Sequence, residues 1–247
     1  MKVFVSGKGG SGKSTISALL AKEMAKRGKR VLVVDNDESN FGLHSHLGLN
    51  LPKDFMYFFG GKENLFERSE EIRDGMRTKD LPDEYISSDG DLNLLAIGKI
   101  SEYGEGCACP MNALSGEFLK RISLEDDEIL IVDMDAGIEH FGRKVEEGAD
   151  IILVIVDPTR ESVKLSQKIA NFGEKIGKDV FFVLNRVNEE TERMLSENID
   201  NTRTIGVIPD DDRIFKAGLK GERLEFELDG VQELADFLMK NWRNSRE

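Results

Sequence analysis

The sequence predicts an α/β fold built on a doubly wound, mostly parallel sheet. Short β-branched runs alternate with longer segments of helical period along all 247 residues. Several of the short runs are apolar at consecutive positions, as strands buried on both faces must be, rather than alternating with polar residues. A glycine-rich loop joins the first such run to the first helical segment, where a right-handed βαβ crossover would begin.

The expected strands, in order, are Lys2–Ser6, Arg30–Asp35, Leu92–Ile97, Glu128–Asp133, Ile151–Asp157, Val180–Asn185 and Thr204–Ile208. Segments Ser14–Arg27, Glu161–Ile176 and Glu189–Asn198 read as helices that cover the sheet. Val231, Leu234, Phe237, Leu238 and Trp242 recur at helical spacing, which predicts a terminal helix packed on the sheet; lying on a membrane instead would require a denser basic face. The rhythm breaks between residues 41 and 111, which hold a Gly-Gly pair, prolines and both cysteines. Insertions of this length are binding loops or mobile segments, and in open α/β sheets the carboxyl ends of the strands carry the ligand. With no repeat and no linker, one domain over 1–247 is the expected organisation.

Composition excludes several classes of function. The 47 Asp and Glu against 34 Lys and Arg leave a net charge of −13, which repels a phosphate backbone, so no nucleic-acid partner is expected. Two cysteines cannot form the disulfide framework of a small secreted protein, which predicts free thiols in a reducing compartment. The first apolar run, Val3 to Val5, is too short for a secretory signal, and no run approaches the ~18 apolar residues of a membrane span. A cytoplasmic protein without a membrane partner is expected.

After the first strand comes Gly7-Lys8-Gly9-Gly10-Ser11-Gly12-Lys13-Ser14-Thr15, which fits the G-x-x-x-x-G-K-[ST] phosphate-loop pattern. The glycines let successive backbone N–H groups converge on phosphate oxygens, and the following helix points its positive end at the same anion. Lys13 is placed to neutralise the β- and γ-phosphates, and Ser14 to hold Mg²⁺. Lys8 adds a second cation, which by itself suits another phosphate contact. With this lysine the loop resembles the deviant Walker A ATPases, the P-loop NTPase group that includes MinD, ParA and nitrogenase iron protein. The resemblance implies that Lys8 reaches the nucleotide of a partner subunit in a homodimer.

Carboxylates follow on neighbouring strands. Hydrolysis needs one that orients or deprotonates the attacking water, and Asp35 and Asp37 both end the second strand. The family's V-D-x-D motif assigns the role to Asp37 and leaves Asp35 structural, with Glu38 standing where relatives carry Pro. The run Ile129-Leu130-Ile131-Val132 closes on Asp133, a Walker B form whose carboxylate would hold the Mg²⁺ hydration shell; without the phosphate loop it would read equally as a helix cap. Asp135-Ala136-Gly137-Ile138-Glu139-His140 reads as the γ-phosphate-sensing switch. Asn185 can donate and accept on an adenine edge, so ATP and its product ADP are the expected nucleotides. The family uses the Asn185-Arg186 pair for adenine, and the loop at Pro209 resembles its second base-lining segment.

Cys107-Ala108-Cys109-Pro110 has a spacing that strains a disulfide yet suits two thiolates on one soft metal. Two thiolates fill half a tetrahedral site; a symmetric dimer would supply four, for Zn²⁺ or Ni²⁺. Loop thiols without a metal are the alternative. His44 and His46 have a spacing open to metal but suit solvent or nucleotide contact better, and His140 suits a structural or switch-linked role. Taken with Met134–His140, the motifs resemble the CooC-type ATPases over nearly the whole chain, with Asp135 where a smaller residue is expected. That resemblance implies a nucleotide-driven homodimer, Ni²⁺ or Zn²⁺ at an interface of Cys107 and Cys109, and ATP-dependent nickel delivery to carbon monoxide dehydrogenase as the client. Two other functions are open: a MinD/ParA-like positioning scaffold, and an iron–sulfur carrier, whose usual cysteine spacings are absent.

Overall fold

A computed structural model of the protein describes residues 1–61, 64, 72–100, 109–138 and 145–244. Eight strands form one sheet in the order β3-β4-β2-β5-β1-β6-β7-β8. They are β1 Lys2–Gly7, β2 Arg30–Asn36, β3 Ile86–Asp89, β4 Leu92–Ala96, β5 Glu128–Met134, β6 Ile151–Val156, β7 Asp179–Val187 and β8 Thr204–Pro209. All adjacent pairs are parallel except β3 with β4.

Strand alternation sorts the core into two layers. Val3 and Val5 face one side of β1, where α1 (Lys13–Lys26), α2 (Leu43–Leu47), α6 (Asp212–Lys220) and α7 (Asp229–Asn244) supply Ile16, Leu20, Leu43, Ala217, Leu234 and Trp242. Phe4 faces the other side, covered by α3 (Cys109–Arg121), α4 (Arg160–Ile176) and α5 (Glu189–Ser196) through Leu114, Phe118, Ile169 and Leu195. Central strands β5 and β6 are buried at every position, which is why they read as unbroken apolar runs. Each large aliphatic side chain so enclosed contributes on the order of 1.5–3 kcal/mol.

All seven expected strands are present within one or two residues of their expected ends, and each expected helix lies within two residues of its expected bounds. The terminal helix is also present, with Val231, Leu234, Leu238 and Trp242 buried against the sheet. Parts of the insertion that are described carry regular structure. Residues Phe55–Phe59 form a short 3₁₀ helix whose aromatic rings stack edge to face with Tyr85 and Phe118. Strand β3 was not expected, because Ile86-Ser87-Ser88-Asp89 is short and half exposed. It exists because Gly90, at φ 59°, and Asp91 turn the chain back so that Asp89 pairs with Leu92.

Candidate functional site

β1 sits between β5 and β6, at the point where the chain reverses its direction of winding, and the phosphate loop leaves its carboxyl end. Two glycines are obligatory there. At Gly7, φ 149°, a Cβ would lie 2.7 Å from the Ile155 carbonyl oxygen of β6, and at Gly12, φ 100°, it would collide with the Asn185 amide. Among the described residues no side chain caps the start of α1, whose first amides suit an anion. Lys13, the first residue of α1, is buried in the fold, and Ser11 donates its N–H to the Lys8 carbonyl at 3.1 Å.

Lys8 turns away from the loop. Its ammonium is 2.9 Å from Asp157 Oδ2 and donates to Thr159 Oγ1 at 3.0 Å. Thr159 is the N-cap of α4 and also donates to Asp157 Oδ1, so the lysine is tied to the first turn of that helix. Burial works to raise the Asp157 carboxyl, but hydrogen bonds from Lys8, Thr159 and Ser162 outweigh it and hold the group below the usual carboxylate range.

Asp133, one residue before the end of β5, is fully buried beside Asp35 in the β2–β5 register. Ser17 donates to its Oδ1 at 3.3 Å, while Oδ2 has no hydrogen-bond partner among the described residues. Burial and the neighbouring Asp35 push this carboxyl up to about 7, against the pull of Ser14 and Lys13. An orphaned, buried carboxylate oxygen near a serine hydroxyl and the phosphate loop is the donor set a hard divalent cation takes, so these residues fit Mg²⁺.

Asp37 lies on a turn after β2 that folds on itself. Its Oδ1 accepts the Ser39 N–H at 3.0 Å and the Ser39 hydroxyl at 2.6 Å. Asn40 donates its side-chain amide to Ser14 Oγ, bridging this turn to α1. Beneath it Lys99, buried, pairs with Asp35 Oδ2 at 2.7 Å. Burial nevertheless raises the Asp35 carboxyl to about 6. Asp35 is thereby the internal ion partner of a lysine, in keeping with its structural assignment. Glu38 is also raised, by burial first and then by Asp135 and Asp37. One carboxylate oxygen from each of Asp37, Glu38 and Asp135 falls within a 4.8 Å cluster.

The residues expected at the base brace the loop. Asn185 donates to the Ser11 carbonyl at 2.7 Å and Arg186, at φ 58°, to the Gly10 carbonyl at 2.9 Å. Pro209 ends the neighbouring strand β8. Gly137, φ 95°, donates its N–H to the Gly7 carbonyl at 3.2 Å, joining the segment after β5 to the phosphate loop. His44 and His46 lie on α2, and burial lowers both below the ordinary imidazole value. Cys107 and His140 lie outside the described residues, and Cys109 is known only as the first residue of α3.

Residues 2–224 match CbiA, the CobQ/CobB/MinD/ParA nucleotide binding domain. The chain belongs to this family. As a MinD/ParA-family P-loop ATPase it has relatives of several kinds. An uncharacterized ATP-binding protein of Methanocaldococcus jannaschii is 49% identical over 97% of this chain and 100% of its own length. The carbon monoxide dehydrogenase accessory protein CooC of Rhodospirillum rubrum is 29% identical over 90% of this chain and 88% of its own. The solved structure of the septum site-determining protein MinD complexed with Mg-ADP, from Pyrococcus horikoshii OT3, matches with a TM-score of 0.68 at 21% identity, covering 97% of this chain and 96% of that one. No helix among the described residues is long and apolar enough to cross a membrane.

Three of the side chains that hold this ATPase site together carry no motif. Asp157 had a signal, since it ends an apolar strand as Asp133 does and precedes a helix start. Lys99 and Asn40 had none, because their partners are brought to them only by the β2–β4 pairing and the turn at Asp37.

Proposed function

We propose that this ATPase is a metallochaperone: nucleotide-bound copies pair, Cys107 and Cys109 of both chains take one Ni²⁺ or Zn²⁺ between them, and hydrolysis of ATP to ADP and phosphate drives nickel toward a carbon monoxide dehydrogenase. The observation that carries the proposal is the Cys107-Ala108-Cys109 spacing in a chain with a complete phosphate loop. The segment leaving β4 toward Cys107 starts bonded to the Asp37 turn, with Ile97 N–H on the Asp35 carbonyl at 3.0 Å and Ile100 N–H on the Glu38 carbonyl at 3.1 Å. The CooC relative and the C-x-C spacing support the same assignment.

In this account the amides of Gly9 to Thr15 cradle the phosphates, Lys13 neutralises them, and Asp37 orients the attacking water. Ser14 and Asp133 would hold Mg²⁺, which when bound screens the phosphate charge. Lys8, once released from Asp157, would contact nucleotide across the dimer, and Asn185, Arg186 and Pro209 would flank the base. Asn185 keeps a second amide N–H and its carbonyl oxygen for adenine while one N–H holds the Ser11 carbonyl, which ties base binding to loop geometry. One domain over 1–247 accommodates every part of this scheme.

The fold match to MinD favours a second reading, a nucleotide-switched positioning scaffold. The described part of α7 argues against membrane attachment, because its apolar residues are committed to the core, and the net charge of −13 argues against DNA. Equilibrium dialysis with Ni²⁺ and with Zn²⁺ tests the choice: one ion per two chains is expected, lost in Cys107→Ser and Cys109→Ser. Unchanged binding in both variants would remove the metallochaperone reading.

A further inference from the structure

We propose that Lys99 is the positioning residue of the hydrolytic site, a buried cation that locks the Asp37–Asn40 turn in place. Lys99 stands three residues beyond β4, its side chain 3% exposed. An ammonium has three donors, and all three find oxygen: Asp35 Oδ2 at 2.7 Å, the Asp37 carbonyl at 2.6 Å and the Asn40 carbonyl. Two of the three acceptors are the ends of the turn that carries the Asp37 carboxylate. The Phe41 ring stands 5.8 Å from the same nitrogen, on the side of the loop that meets solvent.

Stability alone gives little reason for such a group. Buried ion pairs are often replaceable by apolar residues without loss, since desolvation opposes their attraction. An apolar pair cannot, however, bind two backbone carbonyls that converge from the first and last residues of a turn. With its donors occupied, Lys99 has none left for phosphate, so it acts through the turn and not on the nucleotide. The backbone repeats the connection: the Lys99 N–H donates to Asp54 Oδ2 at 3.0 Å, and its neighbours Ile97 and Ile100 bond Asp35 and Glu38. Because the Asn40 carbonyl is fixed, its side-chain amide is delivered to Ser14, so one cation sets both the water-orienting carboxylate and the hydroxyl at the start of α1.

The inference rests on Asp37 as the water-orienting group and is independent of nickel. Steady-state ATP hydrolysis and titration with a fluorescent ATP analogue test it on the full chain, in wild type, Asp37→Ala, Lys99→Met and the double variant Asp35→Asn/Lys99→Met. The double variant removes both charges, so it remains foldable where Lys99→Met alone leaves Asp35 buried and unpaired. Expected are loss of turnover in Asp37→Ala, and in the double variant a kcat lower by about tenfold or more with nucleotide affinity within about threefold of wild type, as misplacement of a catalytic group by about 1 Å produces. A double variant with wild-type kcat overturns the proposal. So does a fall in affinity that equals the fall in kcat, which would mark general loosening. Normal turnover in Asp37→Ala would remove instead the carboxylate assignment on which the proposal rests.

Discussion

Gly12 and Lys99 show how little room single residues have here. Gly12 needs a left-handed backbone and lies against the Asn185 amide that braces the phosphate loop. Gly12→Ala should cost about 1–2 kcal/mol from the backbone alone and displace Asn185, lowering the melting temperature and nucleotide affinity together; unchanged values of both would refute the bracing role. Lys99→Ala leaves the Asp35 carboxylate buried and unpaired, so urea denaturation should show a loss of about 3–5 kcal/mol. Adding Asp35→Asn should recover most of it, because the uncompensated charge and not the missing packing dominates.

Between elements, the contact with the clearest functional consequence is Lys8 on α4. A lysine held by Asp157 and Thr159 within its own chain cannot at the same time contact a partner's nucleotide. Asp157→Ala should therefore let ATP-dependent pairing occur at lower protein concentration, by up to about fivefold for a partly exposed ion pair worth ~1 kcal/mol; sedimentation velocity would detect it, and weaker pairing would contradict it. On α1, Lys22 donates to the Leu224 carbonyl at 2.7 Å. Burial, with Arg223 nearby, pushes its ammonium down to about 8 from 10.5. The unfolded chain then holds more protons than the folded one between pH 8 and 10.5, so this group makes stability rise with pH across that window. Lys22→Gln should flatten the rise in chemical denaturation curves taken at pH 8 and 10.

Across the whole molecule, what could be read from the chain was what is local. The phosphate loop, the apolar strands β5 and β6 and the strand-end Asp133 each declare themselves within a few residues, and each lies where the pattern put it. Strand β3 escaped because its side chains carry no alternation and its cause is a two-residue turn. Lys99 escaped because 64 positions separate it from Asp35 and only the β2–β4 pairing closes that distance. Arg186 is expected at the base, yet its side chain also reaches the Gly10 carbonyl from its own left-handed conformation, at the irregularity in the β7–β8 pairing. The central claim, that nucleotide and metal are bound by the same paired state, is tested most directly by native mass spectrometry of Asp37→Ala with Mg-ATP and Ni²⁺. The account predicts a dimer carrying two ATP molecules and one nickel ion, the ion disappearing when Cys107→Ser and Cys109→Ser are added. A monomer that binds ATP, or a dimer whose nickel content ignores the cysteines, would contradict it.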